Sequence, residues 1–120
     1  MLTLHCDPGI RDLFCAAIRD YAHAAYPPGG SDCAQVARYT LLELAATIES
    51  AVTADCHTVR ISRRPRAQLA AALTWCFDRQ DAHTHSSSAR QRALLAGLLR
   101  EQPVSSADLA AARAADAGPG

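Results

Sequence analysis

At 120 residues, 49% hydrophobic and 20% charged, the chain has the make-up of one globular domain, long enough to bury about two thirds of its unfolded surface. No apolar run approaches the roughly 18 residues of a membrane span, and "MLTLHCDPGIRD" lacks the basic start and long apolar middle of a signal peptide. A cytoplasmic protein with no membrane partner is therefore expected. The formal net charge is zero, but residues 1–55 hold seven acids against three arginines, whereas residues 56–100 hold eight arginines against Asp78 and Asp81.

Leu2, Leu4 and Cys6 alternate with Thr3 and His5, a strand pattern that Pro8 closes. Asp7 has the place of a helix N-cap, with Pro8 at the first helical position. Ile10, Leu13, Phe14, Ala17, Ile18 and Tyr21 then recur at three- and four-residue steps, predicting an amphipathic helix that ends before "PPGG" at 27–30. Ser31 or Asp32 caps a second predicted helix running to about Asp55, with Ala37, Leu41, Leu44, Ala45, Ile48 and Val52 as its apolar stripe. In "HTVRIS", Val59 and Ile61 alternate with Thr58, Arg60 and Ser62. Two such strands are marginal alone, so they should pair on the flank of a helical layer.

A third helix is predicted from about Arg63 to Gln80, with Leu69, Ala72, Leu73, Cys76 and Phe77 inward and Pro65 tolerated in its first turn. After the polar link "DAHTHSS", Ser88 and Gln91 have capping-box spacing, and Leu94, Leu95, Leu98 and Leu99 form the stripe of a fourth helix that Pro103 stops. The remainder, "SSADLAAARAADAGPG", supports a capped alanine-rich helix whose one large apolar residue is Leu109. The expected fold is mainly α, a small four-helix core with two short strands in the order β-α-α-β-α-α. Residues 1–103 form the domain, and 104–120 form a weakly docked or flexible C-terminal helix.

The arginines carry the functional expectation. Arg60, Arg63, Arg64 and Arg66 gather where the second strand gives way to the third helix, although a cation in a helix's first turn costs a few tenths of a kcal/mol. Either these side chains pair internally with acids such as Asp32, Glu49 or Asp55, or they receive an external anion. Trp75 lies well away from the helix's buried centre at Leu69, beside Asp78 and Arg79; tryptophan with arginine is a combination enriched at binding hot spots. These six residues (Arg60, Arg63, Arg64, Arg66, Trp75 and Arg79) are the candidate binding site for a protein partner with an acidic surface.

Nucleic acid is the alternative ligand of the same arginines, but only 5% of the residues are aromatic, and residues 41–64 lack the turn glycine and spacing of a helix-turn-helix. A Cys/His metal-dependent or thiol enzyme is the third reading. His5 and Cys6, Cys56 and His57, and His83 and His85 lie near one another in sequence, yet strand neighbours point to opposite faces and no ligand spacing is diagnostic. Cys33, in the first turn of a helix, has no histidine nearby to make it a nucleophile. Phosphate-binding glycine loops, paired catalytic carboxylates and nucleophile elbows are missing. Five scattered cysteines fit reduced thiols, and the exclusive use of arginine among alanines fits a GC-rich bacterial or phage gene. The sequence thus favours a non-catalytic module of the inhibitor, immunity, antitoxin or adaptor kind, with no metal or cofactor, and with self-association open.

Overall fold

The computed structural model describes residues 1–118. In chain order the elements are β1 (Leu2–His5), α1 (Pro8–Ala25), α2 (Asp32–Ala51), β2 (Thr58–Ile61), α3 (Arg66–Thr84), α4 (Ala89–Leu98) and α5 (Ser106–Ala117). The fold is mainly α with one two-stranded antiparallel sheet. None of the described helices is long and apolar enough to cross a membrane.

The sheet register follows from the alternation in both strands. Leu2 lies opposite Ile61 and Leu4 opposite Val59, so all four apolar side chains share the buried face. Thr3, His5, Thr58 and Arg60 take the outer face. Asp7 caps α1 by accepting from the Ile10 amide at 3.0 Å, and Ile10, Phe14 and Ile18 then point into the core. Ser31 caps α2 in the same way through the Ala34 amide. The core joins Phe14 and Ile18 of α1, Leu41 and Ile48 of α2, Leu69, Leu73 and Phe77 of α3, and Leu95 and Leu98 of α4 to the sheet's inner face. Leu13, Leu44 and Leu94 are half-buried at its edge.

Three boundaries differ from the sequence reading, each for a local reason. α2 stops at Ala51 because Thr53 closes a tight turn, its backbone bonding both ways with Cys56 and its hydroxyl accepting from the amides of Asp55 and Cys56. α3 starts at Arg66, not Arg63, since a proline disfavours helical backbone in the residue before it, which here is Arg64. At its far end α3 continues through the expected polar link to Thr84, and His85 terminates it in the left-handed region at φ 55°.

The capping box expected at Ser88 and Gln91 does not form. Ser88 donates instead to Asp81 at 2.9 Å, and the α4 start is capped from α5: Asp116 accepts from the amides of Arg90 (2.9 Å) and Gln91 (3.1 Å) and from the Gln91 side chain. The segment after α4 is tied at several points. The Val104 amide donates to the His5 carbonyl at 2.9 Å, Asp7 accepts from both the amide and the hydroxyl of Ser106 at 2.7 Å, and Ser105 with Asp108 forms a capping box. Leu109 is buried.

Candidate functional site

α3 and α4 lie side by side and leave a groove of about 670 Å³ between them. One wall is a stripe of α3 formed by Arg66, Ala67, Ala70, Leu73, Thr74 and Phe77. The other is Arg92 and Ala96 of α4 with Leu99 and Arg100 of the turn that follows it, and the turn before α3 adds Arg63 and Arg64 at one end. Ala67, Ala70 and Thr74 are exposed, whereas Leu73, Phe77 and Leu99 are buried and show only their edges to the groove. The result is a shallow apolar floor beneath guanidinium groups.

The arginines differ in how they are held. Arg66 donates from Nε to the Leu99 carbonyl at 3.1 Å, which fixes its guanidinium across the groove mouth. Arg63 donates to the Met1 carbonyl at 3.1 Å and lies 3.7 Å from the Glu101 carboxylate. Glu101 sits in a left-handed turn residue (φ 64°), and the Thr3 amide, donating at 2.8 Å, holds its carboxyl below the usual range. Among the described residues no hydrogen bond or ion pair engages the guanidinium of Arg60 or Arg64, and Arg100 has only a 3.5 Å contact with Gln102. Asp32, Glu49 and Asp55, the acids that the internal alternative would use, form no ion pair with the cluster among the described residues. Glu49 pairs with Arg19 at 2.7 Å, and neither Asp32 nor Asp55 forms an ion pair among the described residues.

At the other end of the groove the charge is balanced. Arg92 pairs with Asp78 at 2.7 Å and Asp81 at 2.8 Å, donates from Nε to the Ser88 hydroxyl at 3.0 Å, and lies 5.9 Å from the centre of the Phe77 ring. The Arg92 hydrogen bond holds the Asp81 carboxyl below its usual range, against the opposing effect of burial and with help from Ser88. The groove is thus electrostatically graded along its length, from unpaired arginine near the start of α3 to a closed ion-pair cluster three turns later.

The six sequence candidates separate into three places. Arg63, Arg64 and Arg66 meet at the groove. Arg60 projects from the outer face of β2 and takes no part in the groove lining. Trp75 and Arg79 line a different concavity together with Asp20, Cys76 and His83. There the Trp75 ring is half-buried edge-on against Tyr21 of α1, centroids 6.1 Å apart, and the Arg79 guanidinium stacks over it at 4.6 Å. Arg92 and Arg100 join the groove without having been singled out in the sequence. Arg92 lies on α4 and Arg100 in the turn just after it, and only the packing of α4 on α3 brings both to the other arginines.

The remaining chemistry-bearing side chains are dispersed. Burial pushes the thiols of Cys6 and Cys15 up to about 11, and burial raises that of Cys76 as well, which keeps all three protonated near neutrality. Cys33 and Cys56 are exposed. Among the described residues no three His, Cys, Asp or Glu side chains converge as a metal site. Comparison with models of known families, with curated proteins and with solved structures gives no match to this chain.

Proposed function

We propose that this chain is a non-catalytic binding module, of the inhibitor, immunity, antitoxin or adaptor kind, whose partner is a protein presenting an acidic surface to the α3–α4 groove. One observation carries this reading: Arg64, Arg66 and Arg100 have no carboxylate within ion-pairing distance among the described residues and stand over an apolar floor. Guanidinium groups at the rim of an apolar patch suit carboxylates on a protein, since the cations steer association while the floor supplies desolvated contact. Nucleic acid fits less well. A strand-binding surface needs aromatic faces beside its cations, whereas Trp75 is engaged by Tyr21 and Arg79 elsewhere and Phe77 lies in the groove floor with its ring buried.

The test is capture of partners from the native host by the intact chain and by an Arg64→Ala, Arg100→Ala variant, each with and without nuclease. A protein retained after nuclease and associating more slowly with the variant, with a difference that shrinks at high salt, is the expected result. Capture abolished by nuclease would assign the arginines to nucleic acid. Equal association rates for the two forms would remove the groove from the interaction.

A further inference from the structure

Resting on the reading of the groove as the binding surface, we infer that its occupant is an acidic amphipathic helix of the partner, about three turns long, lying antiparallel to α3 with its acidic residues toward its own C-terminal half. The groove's shape points to a helix. Its wall on α3 runs from Arg66 to Phe77, about 17 Å at 1.5 Å per residue, which is the length of three turns. Ala67, Ala70 and Thr74 on one side and Ala96 on the other are short, so a third helix can settle between the two ridges with its larger apolar side chains over Leu73, Phe77 and Leu99. Other modes of peptide recognition lack what they need here. An added strand requires a free sheet edge, and no strand lines either wall; a polyproline segment requires an aromatic-lined trough, and the one aromatic ring in the floor is buried.

The charge gradient supplies the direction. Arg64, Arg66 and Arg100 cluster where α3 begins, at an end that also carries the positive half of the α3 dipole, while Arg92 at the far end is already matched by Asp78 and Asp81. A ligand helix gains most by placing both its carboxylates and the negative end of its own dipole beside the unmatched arginines. That puts its C-terminus at the start of α3, and the two helices run antiparallel. Acids near a C-terminus destabilise a free helix, so the segment should be poorly helical alone and become helical on the groove.

A displayed library of random peptides of about 14 residues, roughly four turns, selected on the intact chain tests this directly. The expected consensus has Leu, Met or Phe at helical spacing with Asp and Glu concentrated in the C-terminal half. Selection on an Arg64→Glu, Arg100→Glu variant should lose that acidic preference. A synthetic consensus peptide should gain helical circular dichroism on binding and lose affinity about tenfold or more, equivalent to 1.4 kcal/mol, on Ala70→Trp, which fills the floor at an exposed position. Thr74→Trp, also at an exposed position, repeats the blockade should Ala70→Trp disturb the fold. A consensus without acids, acids confined to the N-terminal half, undiminished binding to both blocked variants, or no enrichment at all would overturn the inference. A host partner that needs Arg64 and Arg100 but ignores both blockades would leave the protein-binding reading standing and remove the helix from the groove.

Discussion

At the start of α4, Asp116 reaches across from α5 to accept hydrogen bonds from two backbone amides; at the start of α3, no side chain caps the helix, and Arg63, Arg64 and Arg66 crowd the same position. The first arrangement settles the positive end of a helix within the fold. The second leaves that end positive and adds to it, so α3 has to be held by something other than electrostatics. Buried Pro65 and Leu69, the Arg66 bond to the Leu99 carbonyl and the packing of Leu73 and Phe77 do this. Capping and core packing are therefore interchangeable ways of fixing a helix start, and the one that omits the carboxylate leaves its charge available to a partner.

The largest effect should come from Leu69→Ala, which removes the fully buried side chain nearest the uncapped start. A loss of about 2–5 kcal/mol is expected in denaturant unfolding, and an unchanged midpoint would break the idea that packing holds α3. Next is Asp7→Ala, which uncaps α1 and releases Ser106 at once. Each lost cap is worth roughly 0.5–2 kcal/mol, the lower part of that range applying to this partly exposed residue, and a thermal melt reads the sum.

Asp116→Asn should lower the melting temperature at neutral pH by less than either of these. It should also flatten the acid limb. Burial acts to raise the Asp116 pKa, but the amides of Arg90 and Gln91 hold it below the ordinary aspartate value; Asp7 is lowered in the same sense, burial again opposing the bonds from Ser106 and Ile10. A carboxyl depressed in the folded state contributes its stability above its unfolded value of about 3.9 and loses it as pH falls through the lower folded value. Melting temperatures recorded downward from about pH 5 should therefore drop less in the variant than in the parent, and parallel curves would deny Asp116 its capping role.

The smallest effect on stability should come from Arg64→Ala with Arg100→Ala: no change or a slight gain, because cations leave the vicinity of a helix N-terminus without breaking an ion pair. A clear fall in melting temperature would show that these two arginines serve the fold after all.

What could be read in the sequence was local. Asp7 before Pro8, the alternation of Leu2 with Leu4 and of Val59 with Ile61, and the stripes of α1 and α4 each specify an element through neighbours a few residues apart. The third helix starts three residues later than its sequence pattern suggests because Pro65, though tolerated in a first turn, disfavours helical backbone at Arg64. Asp116 was invisible as the cap of α4 because Ser88 and Gln91 offered a local solution, and only the folded chain presents the carboxylate from 25 residues away. The same holds for the groove. Its arginine-rich end was apparent in Arg63, Arg64 and Arg66, but Arg92 comes from α4 and Arg100 from the turn after it, and Trp75 faces α1 for reasons set by Tyr21.

The bonds that fasten β1 to the segment around α5 join residues almost a whole chain apart: the Thr3 amide to Glu101, the Val104 amide to the His5 carbonyl, and Ser106 to Asp7. Closing so long a loop carries an entropy cost that no single one of these bonds offsets, so they form together once the intervening helices have assembled. They also come apart together. In native-state hydrogen exchange the amides of Thr3, Val104 and Ser106 should report one opening free energy as a single cooperative unit, making the first strand and the last helix the two halves of one fastening.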